Sequence, residues 1–278
     1  MNSSSSITVR WSGHTDIGHV RKNNEDSFLG LSLDVHEVRY LGKIGEASDA
    51  SKDYVFAVSD GMGGAMAGEF ASRIAVEKIT KMLPSYLNQL DKMPKRDHAP
   101  EDDSANQLLI ALFHEIHRAL LFLSNSYEEC RGMGTTLTMC WLRPGRLYFA
   151  HIGDSRFYHL PKKGGISQIS EDDTHVGWLF RQGMINEREA KNHPRRNLLQ
   201  KVLGADHQFI TPHVGSLTCA PGDRFLLCSD GVTDGIFDAQ LLEILTESTK
   251  KPLAQHLVEE AVERSGRDNA TAMVIEFL

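Results

Sequence analysis

The apolar positions of the chain fall into two recurring patterns, each typical of one kind of secondary structure. Short runs rich in Val, Ile, Leu, Phe and Thr, bounded by Gly, Asp or Asn, are typical of β-strands. They predict strands at about 6–12, 26–33, 36–41, 54–59, 134–142, 146–153, 155–160, 207–216, 223–229 and 270–277. Stretches in which apolar residues return every three or four positions predict amphipathic helices. These lie at about 65–83, 104–127, 174–182, 186–191, 238–247 and 252–265.

The order of these elements bears on the fold class. Strands come in runs and helices come in pairs, which favours antiparallel sheets flanked by helices, an α+β fold. Pro84 stands just beyond the first predicted helix, as a stop signal would. The polar stretch at 88–104 predicts a loop between two helices, and 41–53 predicts an irregular insert in a hairpin. Acids carried by strands flank both stretches and must meet in one place, so residues 1–278 predict a single domain.

Composition and charge narrow the class of protein. The 278-residue chain has a net charge of −7, which argues against a nucleic-acid binder. Its polar N-terminus lacks the basic and apolar regions of a secretory signal. The apolar stretch at 108–123 carries charged residues and fits a core helix better than a membrane span. The four cysteines form no Cys-x-x-Cys pair and predict reduced thiols. We therefore expect a cytoplasmic protein.

Several predicted strands deliver an aspartate at a glycine corner. An unpaired carboxylate at the edge of an apolar core is costly, and a divalent cation removes that cost. Each Asp-Gly pair taken alone predicts a plain turn. The repetition after apolar strands favours a metal site, and hence an enzyme. The runs concerned are Ser59-Asp60-Gly61, Gly153-Asp154-Ser155 and Ser229-Asp230-Gly231, and Asp268 stands just before the last strand.

The donors on offer are carboxylates and a backbone carbonyl. No set of His and Cys residues has zinc-ligand spacing, so the sequence favours Mg²⁺ or Mn²⁺ over Zn²⁺.

Taken together and in their order along the chain, the acidic motifs resemble those of the metal-dependent protein phosphatases, the PPM or protein phosphatase 2C-like family. The resemblance implies a four-layer αββα sandwich: two central antiparallel sheets, each covered by a helix pair, with metals at one end. It also implies a flap at about 171–203 beside the cleft. Asp-Gly-Met-Gly-Gly is similar to bacterial members. The motifs are Arg21 to Asp26, Asp60 to Gly64, Gly134 to Thr136, Gly153 to Arg156, Ser229 to Gly231 and Gly266 to Asn269.

Carried over residue by residue, the resemblance implies a ligand set for two Mn²⁺ or Mg²⁺ ions. Asp60 would bridge both ions, and the carbonyl of Gly61 would ligate one. Asp230 and Asp268 would complete the other shell. Glu25 and Asp26 would act mainly through metal-bound waters.

Asp154 has two interpretations. It matches a position that helps hold a third, weaker metal in bacterial relatives, or it is a structural aspartate in a turn beside Arg156.

Two cations close together can hold a shared hydroxide for in-line attack on phosphorus, with no phosphoenzyme. The catalytic residues expected for this reaction are Asp60, Asp26 and Arg21. Arg21 would grip the phosphate, because its planar fork can bind two oxygens at once; the alternative is a solvated arginine near Lys22.

The proton donor to the leaving oxygen is not assigned. Animal relatives carry a histidine where this chain has Met62, and methionine cannot donate a proton. The candidates are a metal-bound water near Asp154, His175 or His193.

The flap residues leave the substrate open. Arg195 and Arg196 suit acidic or phosphorylated partners, or they pair with Glu187 and Glu189 on a solvated surface. Thr174 is predicted to cap the helix that follows it.

Two functions from different classes fit this pattern. The first is a serine/threonine phosphoprotein phosphatase in signalling that acts on the substrate of a cognate Ser/Thr kinase, and by analogy with relatives we expect a monomer. The second is a non-catalytic phosphoprotein-binding or scaffold member of the same fold. Such a member is expected to lose metal carboxylates, whereas Asp60, Asp230 and Asp268 are all present here.

Overall fold

Two antiparallel β-sheets form the centre of the molecule. The structure is a computed structural model that describes residues 8–34, 36–48, 52–63, 66–92, 101–143, 145–206 and 209–278. The strands are β1 (Val9–Asp16), β2 (Asp26–Leu33), β3 (Val38–Tyr40), β4 (Ile44–Ala47), β5 (Asp53–Met62), β6 (Gly134–Thr135), β7 (Leu137–Arg143), β8 (Arg146–Ile152), β9 (Arg156–Leu160), β10 (Ser167–Gln168), β11 (Leu203–Gly204), β12 (His213–Thr218), β13 (Arg224–Cys228) and β14 (Ala270–Phe277).

The first sheet has the strand order β10-β9-β13-β14-β1-β4. The second has the order β11-β6-β5-β7-β8-β12, with β2 pairing β5 and β3 pairing β2. The helices are α1 (Ala67–Lys92), α2 (Glu101–Ser126), α3 (His175–Arg181), α4 (Glu187–Lys191), α5 (Asp230–Gly235), α6 (Asp238–Thr246) and α7 (Leu253–Arg264).

Three apolar cores separate four layers. Helices α1 and α2 pack on the outer face of the second sheet, and α5, α6 and α7 pack on the outer face of the first. The third core lies between the sheets. Strand β5 shows how the sequence produces this arrangement: Phe56 and Val58 face the other sheet, whereas Val55 and Ala57 face the helices. Side chains alternate along a strand, so a strand buried on both faces is apolar throughout. The predicted α+β sandwich is confirmed.

Two predictions about helix ends and inserts are wrong. Pro84 lies inside α1, which continues to Lys92. Leu83 and Leu87 on either side of the proline are buried in the core, and this packing offsets the missing backbone hydrogen bond. The predicted insert at 41–53 contains β4, which pairs with β1.

The predicted loop at 88–104 is also partly helical, because α1 and α2 extend into its two ends; its residues 93–100 lie outside the described residues.

Helix α2 is apolar for a reason that the fold makes clear. By length and composition its residues 103–126 would satisfy the requirements of a membrane span. In the structure, however, one face of the helix packs on the second sheet, and the side chains of Leu109, Leu112, Phe113 and Ile116 are fully buried there. The apolar stripe therefore covers a sheet within this fold.

The core between the sheets yields a first prediction. Phe225 is fully buried and its ring centroid lies 4.7 Å from that of His159 and 5.5 Å from that of Phe277. We expect Phe225→Ala to lower the free energy of unfolding by about 3–5 kcal/mol, because it opens a cavity that two sheets cannot close. Urea unfolding measures this change. The matched control is Phe209→Ala, since Phe209 is 88% exposed. A loss below about 1 kcal/mol at Phe225 would contradict the packing described here.

Candidate active site

The predicted acidic residues lie where strands of both sheets end. The antiparallel register of β2 and β5 places Asp26 directly opposite Asp60. In the other sheet, Asp230 follows β13, and Asp268 precedes the neighbouring strand β14. The Ser229 hydroxyl joins the two sheets, because it donates a hydrogen bond to Asp26 Oδ2 at 2.7 Å. The carboxylates thus gather at one end of the sandwich.

Hydroxyl groups hold the backbone around Asp60. The Thr135 Oγ1 donates to the Asp60 carbonyl at 2.8 Å, and the Asp60 amide donates to Thr136 Oγ1 at 3.0 Å. The Ser59 hydroxyl donates to the Thr136 carbonyl at 2.8 Å. These side chains are buried, so their hydrogen bonds fix the strand end firmly. The motif Gly134 to Thr136, which carried no role in the sequence analysis, supplies this support.

Asn269 is a second support whose role the sequence analysis missed. Its side-chain amide donates to the carbonyls of Ile17 and Asn23 at 2.9 and 3.0 Å. Its side-chain oxygen accepts from the amide of Glu25 at 2.8 Å. One buried side chain therefore ties the start of β14 to the loop that carries Arg21, Glu25 and Asp26. An Asn next to Asp268, directly before an apolar strand, was the available signal.

A glycine is required at position 61 because the backbone segments of Gly68 and Glu25 approach it closely. Its amide donates to the Glu25 carbonyl at 3.1 Å. A Cβ atom at this position would lie 2.0 Å from the carbonyl oxygen of Gly68 and 2.8 Å from that of Glu25. Any side chain would push these segments apart, so only glycine fits.

The gathered carboxylates repel one another. Burial raises the pKa of Asp60 well above its usual range, and the charges of Asp26 and Asp230 raise it further. Burial also raises the pKa of Asp26 to about 6 and that of Asp154 to about 7. The pKa of Asp230 is raised by burial and by the charge of Asp154. At a pH above these raised pKa values, ionisation of the carboxyl groups lowers the stability of the fold. Positive charge bound beside them would offset this loss.

The donor chemistry fits a hard divalent cation. Asp26 Oδ1 and Asp230 Oδ1 are both buried, and neither has a hydrogen-bond partner. Buried, unpartnered carboxylate oxygens beside other carboxylates are suited to Mg²⁺ or Mn²⁺. Within the described residues, no three His, Cys, Asp or Glu side chains stand together as a ready ligand cage. Asp268 Oδ2 accepts a hydrogen bond from Arg21 Nη2 at 2.6 Å.

Arg21 therefore binds a predicted metal ligand in this structure. The hydrogen bond to Asp268 raises the pKa of Arg21 above its ordinary value. The Arg21 side chain is 47% exposed, so it is in contact with solvent as well as paired with Asp268. Arg21 lies at the edge of the acidic site, where its half-exposed side chain pairs with Asp268 and feels the charges of Glu25 and Asp60.

A cleft opens beside the acidic site, between α5 and the 171–203 segment. Asp154 and Asp230 line it together with Asp234, so Asp154 faces the same space as a predicted metal ligand. Arg156 does not pair with Asp154; its guanidinium donates to Asp172 Oδ2 at 2.8 Å. The other lining residues include Thr174, Phe180, Glu187, Lys191, Arg196 and Asp238.

In the 171–203 segment one predicted helix cap is present, and one predicted ion pairing is absent. Thr174 is the N-cap of α3, as predicted, and accepts from the amide of Gly177 at 2.8 Å. Arg196 pairs with Asp234 at 3.3 Å rather than with Glu187 or Glu189.

Two of the three candidate proton donors are histidines of the 171–203 segment. Neither His175 nor His193 is among the described residues that line it. His175 stacks on Trp178, and His193 Nδ1 accepts from the amide of Arg195. Met62 is 37% exposed at the end of β5.

Comparison with known proteins gives a consistent result. Residues 43–266 match the family model described as Protein phosphatase 2C. The chain is 32% identical over 276 residues to the Serine/threonine protein phosphatase PstP of Mycobacterium tuberculosis, covering 98% of this chain and 46% of PstP. It is 31% identical over 268 residues to the Serine/threonine phosphatase stp of Listeria innocua, covering 94% of this chain and 93% of stp. This chain thus spans less than half the length of PstP.

Among solved structures, the catalytic domain of the serine threonine protein phosphatase PstP in complex with two manganese ions is similar, with a TM-score of 0.71 and 31% identity. The match covers 98% of this chain and 99% of that domain.

The repulsion between carboxylates yields a second prediction, in which one substitution has opposite effects with and without metal. In excess chelator we expect Asp60→Asn to raise the free energy of unfolding, by about 1–3 kcal/mol, because it removes a carboxyl group whose ionisation the fold opposes. With Mn²⁺ present the parent protein should gain stability and the variant should gain little. Urea unfolding with chelator and with Mn²⁺ measures both effects.

The control for this experiment is Asp103→Asn, since Asp103 is exposed on α2. It should respond to Mn²⁺ as the parent does. An Asp60→Asn variant that gains as much stability from Mn²⁺ as the parent would show that Asp60 holds no metal.

Proposed function

This chain belongs to the metal-dependent protein phosphatase 2C family, and we propose that it removes phosphate from phosphoserine and phosphothreonine in proteins. The observation that carries the proposal is the meeting of Asp26, Asp60, Asp230 and Asp268 at one end of the sandwich. The relatives named serine/threonine phosphatases support the reaction, and the manganese-bound PstP domain supports a divalent metal.

The ligand set we propose uses the residues already described. Asp60, the Gly61 carbonyl, Asp230 and Asp268 would hold two Mn²⁺ or Mg²⁺ ions directly. The residues that would act through water are Glu25 and Asp26, and Asp154 would help to hold a third, weaker ion. When bound, such ions supply an acidified water as the nucleophile and neutralise charge on the phosphoryl oxygens. The phosphoryl group would pass in line to water, with no phosphoenzyme.

The protein's own residues then have separable tasks. Asp26 is held by the Ser229 hydroxyl at 2.7 Å, which fixes the direction of its carboxylate. Arg21 would leave Asp268 and bind two phosphoryl oxygens, since a guanidinium binds oxyanions in a bidentate manner. Met62 carries no transferable proton, so the leaving oxygen must take its proton from another group or from solvent.

The wider context is part of the same proposal. We expect residues 1–278 to act as one PPM-type domain, with residues 171–203 as a flap beside the cleft. The substrate would be the phosphoprotein product of a cognate Ser/Thr kinase, in the cytoplasm, and the protein would act as a monomer. The alternative, a phosphoprotein-binding scaffold, predicts binding without turnover.

A third prediction tests the reaction itself. We expect release of phosphate from a phosphothreonine peptide with Mn²⁺ or Mg²⁺, and none with excess chelator, because the nucleophile depends on the metal. Asp60→Asn should lower turnover by at least about 10²-fold. Malachite green detection of phosphate measures both. Turnover that persists in chelator would contradict the metal mechanism, and binding without turnover would favour the scaffold.

A fourth prediction concerns Arg21. We expect Arg21→Met to raise KM for the phosphopeptide by about tenfold or more, because hydrogen bonds to a charged group are worth about 1.5–3 kcal/mol. Steady-state kinetics at saturating Mn²⁺ measure this. The matched control is Lys22→Met, at the adjacent exposed residue, which should leave KM unchanged. Equal KM values for the Arg21 variant and the parent would exclude a phosphate-binding role for Arg21.

A further inference from the structure

A lysine of the 171–203 segment is bound to the end of the helix that begins with Asp230. Lys191 is the last residue of α4, and its ammonium donates to the carbonyls of Thr233 and Ile236, each at 2.5 Å. The same ammonium lies 4.2 Å from the centroid of the Phe237 ring. Only 14% of the Lys191 side chain is exposed. A charged lysine held this deeply is uncommon, and it needs partners that offset its lost hydration.

The partners of Lys191 are groups that α5 cannot satisfy by itself. A helix leaves its last four carbonyls without helical partners, and α5 has only six residues. The carbonyl of Thr233 in the last turn and that of Ile236 directly after the helix accept from Lys191, and a cation there is also favoured by the helix dipole. A side chain from outside the helix therefore helps to fix the orientation of α5, together with the core packing of Val232. Because Asp230 is the first residue of α5, its position depends on that orientation too.

Two further contacts join the 171–203 segment to α5 and to the start of α6. Glu187 Oε1 accepts from the amide of Asp238 at 3.0 Å and lies 3.8 Å from Lys191 Nζ. Arg196 pairs with Asp234, one helical turn after Asp230. Lys191 is the member of this group that binds the α5 backbone directly. The 171–203 segment and the Asp230 helix thus form one hydrogen-bonded unit beside the cleft.

We propose that Lys191 is a positioning residue that couples the docked 171–203 segment to Asp230, and so to the affinity of the site for a divalent cation. The proposal rests on the proposed function in that Asp230 is taken as a metal ligand. It follows that the cation and the docked segment stabilise each other, because coupling between two sites is reciprocal. A merely structural lysine would affect the stability of the fold and leave metal affinity unchanged.

The test compares Mn²⁺ affinity in matched variants by isothermal titration calorimetry, which needs no turnover. Lys191→Met keeps the length of the side chain and removes all its donors, and we expect it to weaken Mn²⁺ binding by roughly tenfold. Lys191→Arg keeps donors and charge, and it should restore most of the affinity. Arg188→Met removes a cation from the exposed side of the same short helix and should bind Mn²⁺ as the parent does.

A second measurement, whose main result comes from the parent protein, guards against a variant that fails to fold. Arg195 is exposed in the 171–203 segment and offers a site for trypsin. If metal and segment stabilise each other, Mn²⁺ should slow cleavage there, and in Lys191→Met the protection should be lost.

The outcomes separate the two proposals. Unchanged Mn²⁺ affinity in Lys191→Met, or cleavage of the parent unaffected by bound Mn²⁺, overturns the coupling and leaves the phosphatase proposal standing. A parent that binds Mn²⁺ with the expected coupling but has no phosphatase activity supports the coupling and overturns the proposed function. A parent that binds no Mn²⁺ overturns both.

Discussion

The burial of several carboxylates close together, where their charges also repel one another, is the constraint on which this architecture depends. Asp26, Asp60, Asp154 and Asp230 are brought together with raised pKa values, an arrangement that a fold stabilises poorly by itself. The sandwich provides the opposing stability through three apolar cores that hold the strand ends in place. The acids can then be gathered because the strands that carry them have no freedom to separate.

The support around the acids is built from neutral side chains. Hydroxyls of Ser59, Thr135 and Ser229 and the amide of Asn269 satisfy the backbone and one carboxylate without adding charge. A cationic support would compete with a metal for the same oxygens, as Arg21, which binds Asp268 Oδ2, would do if Asp268 is a metal ligand. The carboxylates are thus positioned by neutral side chains, and the cationic charge beside them comes from Arg21. In the proposed reaction the carboxylates are therefore available to a cation, and Arg21 is available to a phosphate.

Contacts outside the acidic site hold the 171–203 segment in place beside the cleft. The 171–203 segment is anchored at its base, where the Asp173 amide donates to the Gly153 carbonyl at 2.7 Å, and at α4, where Lys191 binds the end of α5. The first anchor reaches Gly153, directly before Asp154, and the second reaches the far end of α5, the helix that begins with Asp230. A change in this segment is therefore transmitted to the acids through backbone positions.

The sequence alone determined the class of fold and the membership of the acidic set. Strands β2 and β14 have the predicted bounds, because their apolar runs end at charged or turn residues, and repeated Ser-Asp-Gly marked the strand ends. Only the tertiary structure decided which partner each group takes. Pro84 inside α1, Arg21 on Asp268, Arg196 on Asp234 and Lys191 on α5 all depend on contacts between segments far apart in the chain. Local sequence preferences describe a residue's neighbours along the chain, whereas these partners are set by how the layers pack.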